Sequence, residues 1–246
     1  MEKLPAASFF FLLYNEEENI SPLLDAAEKV AGEIAEDYEL LPVIYEGSTD
    51  RTLAIATERS QQNPRIRVVI QPRNEKGMGN AIRWGYKSAK FDHIFYADGD
   101  RQFDLNDYKC FLPHLDGPGV VAGYRIDRQD PKVRLVSSWC YNRIVRMLFR
   151  PGHRDVDCAF RYAHRQVLDR VTLNCATGLG TTELLVKARR AGFPVKEVGV
   201  RHYPRPAGQP VFEVKHPLNI INLPKPRVII DLLKEMRVLW SDIHRK

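Results

Sequence analysis

Residues 93–104 read HIFYADGDRQFD. An apolar run over residues 94–97 stops at two carboxylates, Asp98 and Asp100, which flank Gly99. Side chains alternate in extended chain, so Asp98, Asp100 and Gln102 are expected on one side. Two like charges this close repel and raise each other's pKa, and a bound divalent cation removes that cost. Carboxylate and amide oxygens are hard ligands suited to Mg²⁺ or Mn²⁺, and Mg²⁺ commonly takes one or two carboxylates plus substrate phosphate. Gly99 carries no side chain, which leaves room for a ligand at the backbone. A solvated acidic turn has the same composition. The apolar strand in front of it favours a site, because ligands lie at the carboxyl ends of strands in open α/β sheets.

Three segments upstream repeat the form of an apolar strand followed by a polar turn and a helix. Residues 7–13 (ASFFFLL) are continuously apolar, as in a strand buried on both faces. They lead through Tyr14-Asn15-Glu16-Glu17 to a helical pattern with Ile20, Leu23, Leu24, Ala27, Val30 and Ala31 on one face. The acidic residues are expected in that helix's first turn, where they suit its dipole. Residues 38–45 (YELLPVIY) form a second strand, and Glu46-Gly47-Ser48-Thr49-Asp50 a turn that caps a helix over residues 52–59. Residues 66–70 form a third strand, followed by the loop 71–80 (QPRNEKGMGN) and a helix through Ala81, Ile82, Trp84, Tyr86 and Ala89. The alternation predicts a doubly wound α/β sheet with right-handed crossovers and its polar turns along one edge, where a nucleotide would lie. Gly77-x-Gly79 continues to Gly85, which is not dinucleotide-fold spacing, and no phosphate-loop motif ending in Gly-Lys-Ser/Thr occurs.

Beyond residue 104 the pattern changes. Residues 117–124 read as a strand ending at Arg125, and residues 132–150 as a helix carrying Arg134, Ser138 and Asn142 at i, i+4 and i+8. Arg125 and Arg134 make a candidate anion clamp. Asp155 and Asp157 precede a short strand and read as a general base and a structural partner for arginine, or as a plain surface turn. Thr181-Thr182-Glu183 opens a helix over residues 179–190, where simple capping chemistry is weighed against a functional role for Glu183. Residues 193–200 form the last strand. Arg201 to Gln209, rich in Pro and cations, reads as an exposed loop able to close over phosphates. Residues 226–246 are again helical, with Ile229, Leu232, Leu233, Met236, Trp240 and Ile243 on one face. That helix packs on the core or a partner subunit, or lies in the plane of a membrane surface.

The 246 residues are 44% hydrophobic and 28% charged, which suits one α/β domain, residues 1–212, with a basic amphipathic tail, residues 213–246. The formal net charge is +6, and the stretch from Arg201 onward holds nine Lys and Arg against four Asp and Glu, five of those six charges. The body is near neutral, which argues against a general nucleic-acid binder and for local contact with phosphates or anionic lipid. Cys110, Cys140, Cys158 and Cys175 lack C-x-x-C spacing, so reduced thiols and a cytoplasmic setting are expected. No stretch reaches the length of a membrane span, and the N-terminal apolar run is too short for a signal sequence. Peripheral contact with the cytoplasmic membrane face is the expectation that the tail supports.

Taken together, several segments resemble the family 2 inverting glycosyltransferases of the GT-A fold, and within them the dolichol- and polyprenyl-phosphate sugar synthases. Tyr14-Asn15-Glu16-Glu17 resembles Y-N-E-E. Residues 46–52 are similar to D-G-S-T-D-x-T, and Asn74 with Gly77, Gly79 and Ala81 to N-x-G-K-G-x-A with one extra residue. Residues 98–102 resemble D-A-D-L-Q, Arg125, Arg134, Ser138 and Asn142 the acceptor-side R…R…S…N pattern, and residues 157–161 D-x-x-G-F-R with Ala159 at the glycine. Glu183-Leu184-Leu185 resembles a later E-L segment, and the loop from Arg201 a basic R-x-x-G loop. The resemblance covers roughly residues 7–212, and its specificity lies in the order and spacing of the motifs.

The resemblance implies transfer of a sugar, with inversion, from a nucleotide-diphospho-sugar. Asp98, Asp100 and Gln102 would hold Mg²⁺ or Mn²⁺ against the diphosphate, with Arg201 and Arg205 closing over it. Tyr14, Asn15, Glu16, Glu46 and Asp50 would line the nucleoside pocket. Asn74, Lys76, Gly77 and Gly79 would bring the third loop to it. Relatives carry paired acids where Tyr45 and Glu46 stand, so the base, uracil or guanine, stays open. A polyprenyl phosphate acceptor would be positioned by Arg125, Arg134, Ser138 and Asn142 and needs no base. A hydroxyl acceptor would need Glu183 or Asp157. A homodimer or a small membrane partner, and a non-catalytic nucleotide-sugar binder, are the remaining expectations.

Overall fold

The computed structural model describes residues 2–127, 132–208, 213–214, 223–224 and 226–244. β1 (Leu4–Leu13), α1 (Ile20–Ile34), β2 (Ala35–Tyr45), α2 (Thr52–Gln62), β3 (Val69–Gln71), α3 (Met78–Ser88) and β4 (His93–Asp98) follow the alternation of the first hundred residues. β5 (Val120–Ile126), α4 (Lys132–Phe149), β6 (Phe160–His164), α5 (Arg165–Arg170), α6 (Leu179–Arg190) and β7 (Val195–Arg201) complete the body. β8 (Glu213–Val214) pairs with β9 (Leu223–Pro224), and α7 (Pro226–His244) follows.

Seven strands form one sheet in the order β3-β2-β1-β4-β6-β5-β7. Every pairing is parallel except the two made by β6, so the sheet is mixed and the carboxyl ends of the other six strands share one edge. The continuous apolar run of β1 is explained by burial on both faces. Phe9 and Phe11 face α1, α2 and a 3-10 helix over Leu105–His114, while Phe10 faces α3, α6 and α7. Phe9 stacks on Phe95 at 4.8 Å between ring centroids and Phe10 on Tyr96 at 5.0 Å. Each such buried side chain contributes about 2 kcal/mol.

Two local expectations fail. α1 has no acid in its first turn, because it starts at Ile20, after Glu16, Glu17 and Glu18. β3 is three residues long, with Ile66 joined to Leu40 only by an isolated bridge.

α7 packs on α6 through part of the expected stripe, Leu232, Met236 and Ile243, joined by Leu239. Met236, Leu239 and Ile243 are buried, whereas Leu233 is 59% and Trp240 45% exposed. Ile229 has its side chain outside the described residues. Polar contacts reinforce the docking. Glu235 accepts from Ala176 N (2.7 Å), Thr177 N (3.1 Å) and Thr177 Oγ1 (2.5 Å), and Lys187 pairs with Asp242 at 2.5 Å. No described helix is long and apolar enough to cross a membrane.

Candidate active site

The chain lays down β1, β2 and β3 outward and then returns across β1 to place β4 on its other side. The crevice between the ends of β1 and β4 is therefore the point where strand order reverses, the usual ligand position in open α/β sheets. Asp98 stands in register with Leu12 at that point.

The acidic motif is a turn rather than extended chain. Arg101 has φ of 60°, and Asp100 Oδ1 accepts from Gln102 N at 3.1 Å, closing the turn around it. Gly99 serves packing and not ligand approach. Its N–H donates to Leu12 O at 2.9 Å, and a Cβ there would collide with Leu13. Burial pushes the Asp98 carboxyl well above the usual range. The charges of Asp100 and Asp157 push the same way, and Arg125 opposes them. Glu16 is also raised, first by burial, with Asn19 and Arg205 working against it.

The loop after β7 lies over this edge. Phe103 and His202 form an antiparallel bridge, and Tyr203 N donates to Gln102 O at 2.8 Å. Arg205 donates to Ala207 O (2.7 Å), bonds Glu16 and stands 3.8 Å from Asp100. A guanidinium thus supplies positive charge where the carboxylates gather. One expected partner is spent elsewhere and one is positioned. Gln102 donates its Nε2 to Tyr203 O at 3.0 Å, which fixes the side chain and leaves its amide oxygen to face a ligand. Arg201 grips Asp107 (2.6 Å) and Asp104 (2.7 Å), which ties the end of β7 to the 3-10 helix and removes it from the phosphate-closing role.

On the β2 and β3 side the expected nucleoside-pocket residues come together, but several of their polar atoms lace loops to one another. Asn15, at φ of 54°, accepts from Thr49 N at 2.8 Å. Asp50 accepts from Thr52 N and Oγ1 through one oxygen and from Glu17 N through the other. Glu46 accepts from Arg73 N at 3.0 Å. Asn74 is exposed. Gly77 and Gly79 do not open the loop to a ligand. A Cβ on either would strike the backbone of residues 175–177, so these glycines let α3 pack there. Tyr14 and Tyr45 have ring centroids 5.6 Å apart, with the Lys76 ammonium 5.9 and 5.6 Å from the two rings. This aromatic and cationic wall lies beside the acidic edge.

The acceptor-side expectations change most. Arg125 is buried and held by Asp155, with Nε at 2.8 Å from Oδ2 and Nη2 at 2.8 Å from Oδ1, and it lies 3.5 Å from Asp157. It is no free anion clamp, because Asp155 already neutralises it. Arg134 belongs to α4, but its side chain lies outside the described residues. Asn142 donates to Ser138 O (2.9 Å) and accepts from Val156 N (2.8 Å), so it braces the loop carrying Asp155 and Asp157 rather than presenting a free amide. Asp157 is partly exposed. Glu183 is 1% exposed and accepts from Asn174 N and Cys175 N at 2.8–2.9 Å, with Lys187 at 2.8 Å. Neither a capping residue nor an available base, it is a structural carboxylate.

Arg161, in sequence only the end of the 157–161 motif, has a structural role of its own. It is fully buried and donates to Cys158 O (2.8 Å), Val156 O (2.6 Å) and Thr181 O (2.6 Å), fixing the loop behind Asp157 to α6. An arginine inside an otherwise apolar strand signature is the signal that could have marked it. Asp107 left a fainter one, an acid on the inward face of a 3-10 helix.

Among the described residues no three His, Cys, Asp or Glu side chains form a closed metal cage. Asp98 and Asp100 still suit a hard cation that draws its remaining ligands from phosphate and water, the usual habit of Mg²⁺.

Comparison with known proteins agrees with this architecture. A profile described as Glycosyl transferase family 2 matches residues 8–172. Dodecaprenyl-phosphate galacturonate synthase of Rhizobium johnstonii is 25% identical over 232 residues, covering 91% of this chain. The chain spans 64% of that relative's length. Glucosyl-3-phosphoglycerate synthase of Mycobacterium tuberculosis, solved with Mn²⁺, UDP and glucosyl-3-phosphoglycerate, superposes with a TM-score of 0.64 at 16% identity, covering 96% of this chain and 77% of that one. The same enzyme with Mg²⁺ and UDP gives 0.65 at 16% identity, over 95% and 80%. The structural likeness establishes the fold. The profile, which spans β1 to the end of α5 and so takes in the whole acidic edge, shows that this chain belongs to glycosyl transferase family 2.

Proposed function

We propose that the chain transfers a sugar, with inversion, from a nucleotide-diphospho-sugar to a polyprenyl phosphate at a membrane surface. The observation that carries the reading is the gathering of Asp98, Asp100 and Glu16 at the switch point under the Arg205 guanidinium. Family membership and the dodecaprenyl-phosphate relative support the substrate classes.

Asp98 and Asp100 are the residues that would hold Mg²⁺ or Mn²⁺. A divalent cation there supplies charge stabilisation to the departing nucleoside diphosphate. Arg205 then has a second anion to meet, the diphosphate, and exchanging Glu16 for it keeps the donor under the loop. Tyr14, Tyr45 and Lys76 form the wall against which the base lies, with the base itself open between uracil and guanine. The acceptor approaches from the side of Asp157, opposite the leaving group, so configuration inverts. A phosphate monoester is already anionic at neutral pH, with a second pKa of about 6, and attacks without a base. This matches the loss of Glu183 to a structural role. Asp157 is the carboxylate placed to serve a hydroxyl acceptor, which is the second reading.

Donor turnover with a short-chain polyprenyl phosphate, with and without Mg²⁺, tests the proposal. Asp100→Ala is expected to lower it by about 10²–10³-fold. Undiminished turnover in that variant, or transfer to sugar hydroxyls with none to the prenyl phosphate, would overturn it. A thermal-shift comparison of UDP- and GDP-sugars identifies the base.

A further inference from the structure

A second polar feature lies where α4, α6 and β7 meet. An open groove of about 370 Å³ is lined by Arg146 of α4, Arg150 just past the end of that helix, Gly152 and Arg154 of the next loop, Arg189 near the end of α6, and Glu197 of β7. It is separate from the acidic edge. Between them stand the Arg125–Asp155 pair and the buried His153, whose ring meets Ala122 O (3.2 Å) and Asp155 N (3.1 Å).

The charges in the groove do not balance. Glu197 is occupied by Arg154, accepting from its backbone N at 2.6 Å and its Nε at 3.3 Å. Among the described residues, no carboxylate pairs with Arg146, Arg150 or Arg189. Three guanidinium groups therefore share one recess without a counter-ion. The recess is also shaped. Arg150 follows the last residue of α4, and its N–H donates to Arg146 O at 3.2 Å, which holds the two residues together at the helix end. Gly152 has φ of 72°, and a Cβ there would strike the Arg189 guanidinium, so the loop backbone makes room for that side chain. Arg150 itself has φ of 48°, a backbone conformation that residues with a Cβ rarely adopt.

Guanidinium forks match the oxygens of a phosphate. What flanks the recess says where that phosphate comes from. Met147, between the two arginines in sequence, is 68% exposed, and Phe149 meets Trp240 of α7 at 6.2 Å, with Trp240 45% exposed. Arginines beside exposed Met and Trp fit a charged headgroup at an apolar boundary better than a free ion in water. We propose that this pocket binds the phosphate of an anionic phospholipid headgroup, with Met147 and Trp240 meeting the bilayer beside it. The choice of a lipid source over a soluble phosphate compound rests on the reading of a membrane-held acceptor.

Co-sedimentation of the full chain with vesicles tests this, comparing phosphatidylcholine alone with phosphatidylcholine mixed with phosphatidylglycerol. The wild type should bind only the mixed vesicles, and Arg146→Gln/Arg150→Gln/Arg189→Gln should lose about 10-fold or more of that binding. The charge-matched control Lys3→Gln/Lys29→Gln/Lys90→Gln, on α1 and the opposite edge of the sheet, should retain it. Equal loss in both triple variants, or no loss in the first, overturns the pocket. Inorganic phosphate and pyrophosphate, titrated without vesicles, form the second arm. Tight binding that only the arginine variant loses, with vesicle binding unchanged, assigns the pocket to a soluble ligand and overturns the lipid source. Donor turnover on a detergent-soluble short-chain acceptor, measured on the same proteins, keeps this outcome distinct from failure of the transferase reading.

Discussion

Glu183 and Asp98 are both acids withdrawn from water, and they are solved in opposite ways. Around Glu183 the chain supplies the Asn174 and Cys175 N–H groups and the Lys187 ammonium. Each oxygen finds donors, and the carboxylate holds residues 174–175 to α6. Around Asp98 the chain supplies more acid. Asp100 and Asp157 add to the burial that drives its pKa up, and Arg125, which opposes them, is itself committed to Asp155. A satisfied buried acid is structure. One crowded by other acids, at a strand end where the sheet order reverses, is suited to a cation.

The contrast is sharpest in paired substitutions. Asp98→Asn should lower metal-supported donor turnover by about 10²–10³-fold, equivalent to about 3–4 kcal/mol of transition-state stabilisation. The same change should leave the thermal midpoint unchanged or raise it by about 1–2 °C, since it removes repulsion. Retained turnover, or a loss of stability, would erase the distinction between the two regions. Glu183→Gln should do the reverse. It removes one of the two carboxylates that meet Lys187, leaving Asp242, and mismatches a buried backbone N–H, at a cost of about 3 kcal/mol. For a chain of this size that lowers the midpoint by about 6–12 °C, with turnover of the still-folded protein nearly unchanged. Differential scanning calorimetry beside the turnover assay reads both effects.

His153 lies between the acidic edge and the arginine pocket and offers the smaller test. Burial, followed by the charge of Arg161, lowers its pKa from 6.5 to about 4. Between those values the unfolded chain takes up a proton that the folded one refuses, so stability is full above 6.5 and falls as pH drops toward 4. The loss is on the order of 2–3 kcal/mol. Urea midpoints at neutral and acid pH should converge in His153→Gln relative to wild type. Equal slopes would mean that the ring is not shielded, and that the wall between the two regions is open.

Much of the first hundred residues was legible in order because each element there is local. A strand buried on both faces is apolar without interruption, and the helix that follows carries a 3.6-residue stripe. The order of motifs was enough to anticipate the family. Roles were less legible wherever a side chain's partner comes from a distant part of the chain. Arg125 reads as a free clamp until Asp155 closes on it, and Gly77 and Gly79 read as a ligand loop until residues 175–177 pack against them. The tail stripe is legible at Leu232, Met236 and Ile243 and differs at the rest for the same reason. α7 meets α6 through Leu239, so Leu233 and Trp240 turn outward.

The sequence by itself determined the doubly wound alternation and the acidic turn after the fourth strand. It also determined the basic balance of the last stretch, because periodicity and composition are written residue by residue. Only the tertiary structure decided which of the acids and arginines are spent on one another. Pairing depends on burial and on contacts across as many as 189 residues of chain, as between Glu16 and Arg205, and linear spacing does not encode either. It was this accounting that separated the crowded carboxylates at the strand end from those held by backbone donors, and, among the described residues, the arginines without a carboxylate partner from those already paired.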